Sequence, residues 1–277
     1  MRTVHLDLDN TLIYSYRHIA PDSVSCPAVC RKGQGALSLT AEEGRVNGRN
    51  WINVEMYQGR EISYMTKRSQ ELLKCLRKKC LVVPTTTRTI EQYKRIETGT
   101  GSFEYALVCN GGILLVNGES DRTWYARSRE LAADCERELL RGLEMLEKEP
   151  LRKFELRFIE ELFLFTKCSD PDRVLARLRG ELDHEQVEVL GNGEKIYVVP
   201  KKLDKGTAVR RFREYTGADE VIAAGDSGFD VSMVETADTG IVPAGFLRKY
   251  QTAGCIKEMK GEHVFSEEML SWLIYSS

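Results

Sequence analysis

Short apolar segments alternate with amphipathic ones along most of the chain, and this alternation constrains the fold more than any other feature. The segment 4–8 has the pattern of a buried strand, and a predicted helix over 66–79 leads to a second strand at 80–83. The same order returns after Pro200, where a helix over 206–215 precedes another apolar strand. Such alternation is typical of a parallel sheet with helices on its faces. We therefore predict an α/β protein.

The alternation breaks between residues 112 and 200, where the pattern is that of hairpins. Asn-Gly pairs at 117–118 and 192–193 predict tight turns. Apolar periodicity predicts two amphipathic helices, near 127–148 and 171–182. These elements indicate an α+β unit inserted into the α/β one.

The chain is therefore expected to form two domains, which its 277 residues allow. A Rossmann-like three-layer core with a parallel sheet is predicted over 1–88 and 201–277, and an α+β cap domain over 89–200. Within the core, residues 17–60 are rich in Gly, Ser, Pro and Asn and are predicted to form an irregular insertion with a hairpin flap. A loop of this length usually has a function, and it could serve as a docking surface for another protein.

Composition excludes several classes of partner. The chain has 40 Lys and Arg against 42 Asp and Glu, a formal charge of -2, so no overall field attracts nucleic acid or an anionic membrane. No stretch reaches the roughly 18 to 20 consecutive apolar residues that a membrane helix needs, and the N-terminus lacks the pattern of a signal peptide. We expect a soluble cytoplasmic protein that binds neither nucleic acid nor membranes.

Polar residues follow the predicted strands at their carboxyl ends, which in an open parallel sheet face the ligand-binding crevice. Lys205 opens the helix that precedes the last of these strands. The other residues are Asp7 and Asp9 after the first strand, Thr85 to Arg88 after the second, Asn110-Gly111-Gly112 after a third predicted at 105–109 and Gly225 to Asp230 after a fourth predicted at 221–224.

If these strand ends converge, up to four carboxylates share one site. Like charges at such distances repel strongly, so a cation is required. The available ligands are hard oxygens without Cys or His, which favours Mg²⁺ and in turn implies a phosphate substrate. The predicted metal ligands are Asp7, Asp9, Asp226 and Asp230.

Phosphoryl transfer needs a nucleophile, a general acid and positive charge near the phosphate oxygens. Asp7 can attack phosphorus and form an acyl phosphate, while Asp9 can protonate the leaving alcohol and later activate water. Lys205 supplies a positive charge, and Thr86 supplies a hydroxyl donor.

Four motifs occur in order along the chain: Asp7-Leu8-Asp9-Asn10-Thr11-Leu12, Thr85-Thr86-Thr87-Arg88, Lys205-Gly206 and Gly225-Asp226-Ser227-Gly228-Phe229-Asp230. With these motifs the sequence resembles a haloacid dehalogenase superfamily phosphatase. The large insertion before Lys205 is similar to that of the Cof-type branch, which includes sucrose-phosphate and mannosyl-phosphoglycerate phosphatases. The chain departs from that branch at Thr87, where glycine is common, and at Phe229, where asparagine is common.

The resemblance implies a role for each matching residue. Asp7 would be nucleophile and metal ligand, and Asp9 would be the acid/base whose backbone carbonyl also binds metal. Thr86 and Lys205 would bind phosphate, and Asp226 would bind the metal directly, with Asp230 acting through a water or by supporting the direct ligands. Contacts to the phosphate or substrate are further predicted for Thr11, Thr87, Arg88 and Asn110.

Some of these assignments have structural alternatives. Asn110 could instead serve the turn that enters the hairpin, and Arg88 could pair with a neighbouring acid. Arg157, Lys195 and Tyr197 lie on predicted cap strands, but strand alternation alone leaves open which side faces the site.

The sequence thus predicts a Mg²⁺-dependent phosphatase of a small, sugar-phosphate-like metabolite that works through an aspartyl phosphate. Two alternatives stay open. The same acyl phosphate could pass to an alcohol, as in a phosphomutase or phosphotransferase. The chain could also be a non-catalytic module that binds phosphate or a protein partner.

Overall fold

The computed structural model describes residues 1–19, 45–46 and 49–275, and a five-stranded parallel sheet forms its centre. In spatial order the strands are β16 (Ile256–Glu258), β15 (Thr239–Val242), β14 (Glu220–Ala224), β1 (Arg2–Leu6) and β6 (Leu81–Pro84). β1 pairs with β14 on one side and with β6 on the other. Residues 3–6 are fully buried, because helices cover both faces of a parallel sheet.

Helices pack on both faces of this sheet. On one face, Leu73 and Leu270 join Val4 and Leu6 in a single apolar cluster. On the other face, Val209 packs with residues of β14. The helices of this core are α1 (Tyr16–Ile19), α2 (Lys67–Leu76), α7 (Lys205–Thr216), α8 (Val231–Thr236), α9 (Phe246–Lys249) and α10 (Phe265–Tyr275). The predicted α/β class with a parallel sheet is confirmed. Among the described residues, no helix is both long and apolar enough to cross a membrane.

Local signals set both ends of α7. The Asp204 carboxylate accepts a hydrogen bond from the Thr207 N–H at 2.6 Å, which satisfies a donor of the first turn. Gly217 ends the helix with a φ of 66°, in the left-handed region that glycine adopts without strain. The helix therefore differs by one residue at each end from the predicted 206–215. Lys205 consequently lies in its first turn, at the carboxyl edge of the sheet.

A three-stranded antiparallel sheet extends the core sheet beyond β6. It consists of β7 (Tyr105–Val108), β8 (Ile113–Val116) and β9 (Glu119–Ser120), after the short α3 (Ile90–Lys94). A parallel bridge between Thr85 and Leu107 joins β7 to the chain that follows β6. Residues 105–120 thus lie beside the core, although the sequence groups them with 89–200. The domain limits themselves stay a prediction.

A four-stranded antiparallel sheet forms the rest of the insertion, with β10 (Arg157–Ile159), β11 (Phe163–Lys167), β13 (Lys195–Pro200) and β12 (Val187–Asn192) in spatial order. We call it the cap sheet. α5 (Glu136–Glu147) and α6 (Pro171–Glu181) pack against one of its faces, through an apolar cluster that includes Leu146, Leu178 and Ile196.

The single helix predicted near 127–148 is wrong, because two helices occupy this stretch. α4 (Arg122–Ala133) ends before Asp134, and α5 begins after Cys135, whose φ of -122° interrupts the helix. α4 packs against β8, where Trp124 is buried with Leu114, whereas α5 packs against the cap sheet. One straight helix cannot serve both surfaces.

A hairpin is present in this region, but it extends beyond the predicted insertion of 17–60, as far as Thr66. β4 (Arg49–Tyr57) and β5 (Arg60–Thr66) form it, together with the short β2 (Tyr14–Ser15) and β3 (Arg45–Val46), in the order β2-β5-β4-β3. Gln58 and Gly59 both have positive φ, of 49° and 72°, as a two-residue hairpin turn requires. The protein-docking role suggested for 17–60 falls largely on residues 20–44, which lie outside the described residues.

A buried carboxylate attaches this hairpin to the core. The side chain of Glu55 is fully buried, and its Oε1 accepts from Arg88 Nη1 at 3.0 Å and from Arg95 Nη2 at 3.1 Å. Its Oε2 accepts from the Ser63 hydroxyl at 2.6 Å on the opposite strand. Removing one partner of such a cluster leaves the others buried without compensation, which is costly.

We expect Glu55→Ala to destabilise the protein by about 3 to 5 kcal/mol, because two guanidinium groups would lose their buried carboxylate. Urea unfolding followed by circular dichroism measures the change. The control is Glu71→Ala, at an exposed position of α2; a surface change of this kind should stay within about 0.5 kcal/mol. Equal urea midpoints for the two variants would contradict the attachment of the hairpin to the core through Glu55.

Candidate active site

The carboxyl ends of the central strands bring the predicted catalytic segments together. Asp7 continues β1, and its backbone N–H donates to the carbonyl of Ala224, the last residue of β14, at 2.9 Å. On the other side of β1, the Thr85 N–H donates to the carbonyl of Leu6 at 2.8 Å. Three neighbouring parallel strands therefore end at one edge, the position at which open α/β sheets bind ligands.

A buried lysine lies between two carboxylates at this edge. Lys205 Nζ donates to Asp7 Oδ1 and to Asp230 Oδ1, both at 2.6 Å, and only 1% of the lysine is exposed. Burial alone would lower the pKa of Lys205, but the carboxylates of Asp230 and Asp7 outweigh it and raise this pKa. Lys205 is therefore held as a charged ammonium.

The glycine after this lysine allows two helices to approach closely. A Cβ at Gly206 would lie 2.4 Å from the carbonyl oxygen of Ser232 in α8. Any side chain at this position would push α7 away from α8 and move Lys205 with it. The Lys-Gly pair thus has a packing reason in addition to the charge of the lysine.

The loop after β14 fixes the orientation of Asp230. Its Oδ2 accepts from the backbone N–H groups of Asp226 and Ser227, at 3.1 and 2.9 Å, and from the Ser227 hydroxyl at 2.8 Å. A Cβ at Gly225 would lie 2.3 Å from the Cβ of Asp230, so glycine is required there. With Oδ1 bound to Lys205, both oxygens of this fully buried carboxylate have partners.

Negative charge in the site exceeds what Lys205 compensates. Ligand oxygens of Asp7, Asp226 and Asp230 all lie within 4.8 Å of one another. Burial, assisted by the other carboxylates, raises the pKa of Asp7 although Lys205 opposes the rise. Burial and the neighbouring Asp230 raise the pKa of Asp226 to about 7. Hard oxygen ligands with excess negative charge fit a divalent cation such as Mg²⁺.

Asp9 has a different environment, since an arginine neutralises it. Arg88 donates from Nε to Asp9 Oδ2 and from Nη2 to Asp9 Oδ1, both at 2.8 Å, in a two-pronged ion pair. Partial burial opposes the charged form of Asp9, but Arg88, with the more distant Lys195 and Lys205, holds the pKa of Asp9 below its usual range. The side chain of Asp9 is half exposed. Of the two roles considered for Arg88, the structure contains the pairing with an acid.

The predicted phosphate-contact threonines lie around these carboxylates. Thr11 donates its hydroxyl to Asp226 Oδ1 at 3.3 Å, and Thr86 Oγ1 accepts from the Arg88 N–H at 3.2 Å. Thr86 is fully buried and Thr87 is partly buried. Their roles toward a phosphate stay predictions.

Asn110 occupies the turn between β7 and β8. It has a φ of 59°, and its side-chain amide donates to the Leu203 carbonyl at 3.0 Å. This contact links the turn to the segment that returns from the cap sheet to α7. The contact that the structure contains is therefore one with the protein, while a contact of Asn110 with substrate stays a prediction.

Two hairpin residues near the site carried no specific signal in the sequence, while for Tyr197 the sequence left open which side of the cap sheet it faces. Glu55 and Ser63 hold Arg88 from the hairpin, 33 and 25 positions away along the chain. Tyr197 of β13 contacts Phe229 edge to face, with ring centroids 5.0 Å apart, next to Asp230.

Comparison with known proteins is consistent with this geometry. A family profile described as haloacid dehalogenase-like hydrolase matches residues 119–243. A phosphoglycolate phosphatase of Methanopyrus kandleri is 30% identical over 183 residues, which is 62% of this chain and 76% of that protein.

Solved structures share the fold over nearly the whole chain. Sucrose-phosphatase of a Synechocystis species, solved with sucrose and phosphate, superposes with a TM-score of 0.61 at 17% identity and covers 98% of this chain and 96% of its own. A Thermoplasma acidophilum protein superposes with a TM-score of 0.58 at 13% identity, covering 98% of this chain and 96% of its own. A Bacteroides thetaiotaomicron member of the haloalkanoate superfamily has a TM-score of 0.54 at 15% identity, covering 99% of this chain and 94% of its own.

At these identities the solved structures establish the fold, while the family profile and the curated relative establish the family. The resemblance that the four sequence motifs indicate is thereby confirmed. The chain belongs to the haloacid dehalogenase-like hydrolases, and its enzyme class is that of the phosphoric monoester hydrolases.

Proposed function

We propose that this protein is a Mg²⁺-dependent phosphatase that hydrolyses a small phosphorylated metabolite through an aspartyl phosphate on Asp7. One observation carries the proposal. Lys205 donates to Oδ1 of Asp7, at the end of the central strand and beside Asp226, whose pKa is raised to about 7 by burial and Asp230. The other oxygen of Asp7 is thereby available as a nucleophile.

Asp7 and Asp226 are the proposed direct protein ligands of Mg²⁺, together with the backbone carbonyl of Asp9. Asp230 would act through a water or by holding Lys205 and the loop in place, because both of its oxygens already accept hydrogen bonds. The bound ion would supply positive charge to the phosphate oxygens and orient the phosphoryl group.

In the first proposed step, Asp7 Oδ2 attacks phosphorus and the bond to the leaving oxygen breaks. Asp9 gives its proton to that oxygen, so the alcohol leaves neutral. In the second step, Asp9 takes a proton from water, and the resulting hydroxide displaces phosphate from Asp7. Lys205 and the Thr86 hydroxyl would stabilise the phosphoryl oxygens in both steps.

Arg88 must change partner during this cycle. Its ion pair keeps Asp9 deprotonated, whereas the first step needs a protonated Asp9. An arriving phosphate monoester provides an alternative anion for Arg88, and Thr87 precedes Arg88 in the same segment. We propose that substrate binding draws the guanidinium away from Asp9, while Glu55 retains its other edge.

The relatives suggest the size of the substrate. Their names refer to sucrose phosphate, trehalose 6-phosphate and phosphoglycolate phosphatases. All of these are small organic phosphates, so we propose a substrate of this size, sugar phosphates included. Product analysis in ¹⁸O-labelled water distinguishes hydrolysis, which places one labelled oxygen in phosphate, from transfer to an alcohol, which does not.

Asp7→Asn should lower the turnover of p-nitrophenyl phosphate by at least about 10⁴-fold, because an amide cannot form the acyl phosphate. Phosphate release in the presence of Mg²⁺ measures the loss. Asp172→Asn, at an exposed site on α6, is the control and should retain full turnover. A folded Asp7→Asn protein with unchanged turnover would exclude Asp7 as the nucleophile.

Mg²⁺ should stabilise the protein more at pH 8 than at pH 5.5. The raised pKa of Asp226, about 7, means that the folded metal-free protein keeps a proton that the unfolded chain releases above about pH 4. The free energy of unfolding of the metal-free protein should therefore decrease as the pH rises from the unfolded to the folded pKa of Asp226. Mg²⁺, which binds the ionised carboxylate, should restore this stability.

Thermal unfolding with and without Mg²⁺ measures this effect, which amounts to roughly 2.7 kcal/mol when free Mg²⁺ is 100-fold above its Kd. Asp226→Asn should remove the stabilisation by Mg²⁺ at both pH values, while the control Asp172→Asn should retain it. A stabilisation by Mg²⁺ that persists in Asp226→Asn would contradict the proposed ligand set.

A further inference from the structure

The cap sheet has two faces of different character. Leu164 of β11 and Ile196 and Val198 of β13 belong to the apolar cluster formed with α5 and α6. Side chains alternate along a strand, so the residues between them lie on the opposite face. That second face carries Phe165 and Lys167 from β11 and Lys195 and Tyr197 from β13.

Contacts show where this second face points. Tyr197 packs edge to face against Phe229, which directly precedes Asp230 in the loop after β14. Lys195 lies two residues before Tyr197 on the same strand and therefore on the same face. Lys167 is the register partner of Lys195 in the antiparallel ladder, just as Phe165 is the partner of Tyr197. Both ammonium groups thus belong to the face that is turned toward the catalytic end of the core.

No ion pair within the described part of the chain neutralises these two lysines. Among the described residues, no carboxylate oxygen lies within 4.0 Å of either Nζ, whereas other cap cations such as Lys148 and Arg177 form ion pairs. Lys167 instead lies over the ring of Phe154, with Nζ 5.1 Å from its centroid. Like charges directly opposite each other destabilise a sheet, so the Lys167–Lys195 pair lowers stability, and the described contacts give no structural reason for it.

Lys195 also lies within electrostatic reach of the proposed leaving-group acid. Burial lowers the pKa of Lys195, and the positive charges of Arg88 and Lys167 lower it further. The Asp9 carboxylate raises this pKa and so shows that the two groups interact. The residue is solvent-exposed although protein atoms crowd it, as expected in a cleft between cap sheet and core.

We propose that Lys195 and Lys167 bind a second anionic group of the substrate. The inference rests on the proposed function: the phosphoryl group lies at Asp7 and Lys205, and the leaving oxygen must face Asp9. The rest of the substrate then extends toward Lys195 and Lys167. The substrate class is a phosphate monoester whose alcohol part carries a carboxylate or a second phosphate, with Tyr197 and Phe165 beside it.

Competitive inhibition of p-nitrophenyl phosphate hydrolysis tests this, whether or not the inhibitor is turned over. 3-Phosphoglycerate and glycerol 3-phosphate differ only in a carboxylate that replaces a hydroxymethyl group. We expect 3-phosphoglycerate to have a Ki about tenfold lower, the ratio expected for one charge-assisted hydrogen bond. Fructose 1,6-bisphosphate against fructose 6-phosphate gives the same comparison for a second phosphate, so the two pairs distinguish the two anions.

The variants Lys195→Gln and Lys167→Gln should each reduce the ratio of the two Ki values toward one, and Lys195→Arg should retain most of it. Lys148→Gln removes the same charge at the end of α5, which packs on the other face of the cap sheet, and should leave the ratio unchanged.

Two outcomes would overturn the inference. One is a wild-type ratio near one for both pairs of inhibitors. The other is a Lys195→Gln variant in which the Ki values of the acidic and the neutral inhibitor rise by the same factor. Failure of the proposed function would look different, because wild-type protein would then not hydrolyse p-nitrophenyl phosphate or Asp7→Asn would still do so.

Discussion

The charge of one buried ammonium group underlies the arrangement of the whole site. Lys205 Nζ lies 2.6 Å from oxygens of both Asp7 and Asp230, and all three side chains are almost fully shielded from water. Two carboxylates at this depth without a cation would repel each other and lose their hydration. The position of Lys205 depends in turn on the first turn of α7, which Asp204 caps and Gly206 allows to pack against α8.

Four carboxylates gather at this edge of the sheet, and their surroundings give them different properties. Asp7 and Asp230 share Lys205, and Asp9 has its own arginine. Asp226 accepts a hydrogen bond from the Thr11 hydroxyl, and burial with the nearby Asp230 raises its pKa to about 7. Environments that separate the pKa values of neighbouring acids are a common basis for different catalytic roles. Here they suggest a nucleophile, an acid/base and a metal ligand within one small cluster.

Two insertions complete the surroundings of the acidic cluster. The hairpin over 49–66 supplies Glu55, which holds Arg88 from the side away from Asp9. The cap sheet contacts the loop after β14 through Tyr197 and Phe229, and Lys167 and Lys195 lie on the same face of the sheet. Phe229, which stands where related sequences often have asparagine, thus has a packing role between cap and core. The core carries the residues proposed for phosphoryl transfer, and the insertions carry the lysines proposed to bind the rest of the substrate.

Local sequence determined much of this protein. Apolar runs the length of strands, each followed by polar residues, predicted the parallel sheet and the edge at which Asp7, Asp226 and Asp230 meet. Asp204 and Gly217 marked the ends of α7, and the Asn-Gly pair at 117–118 marked a hairpin turn. These features depend on residues close together in the chain, so spacing alone can reveal them.

Tertiary structure decided the rest, because the deciding contacts join residues far apart in the chain. Nothing near Arg88 in the sequence indicates that Asp9 and Glu55, 79 and 33 positions away, share its guanidinium. The break at Cys135 follows from two separate surfaces that α4 and α5 must cover. Strand alternation placed Lys195 and Tyr197 on one face, but only the contact with Phe229 decided that this face is turned toward the active site.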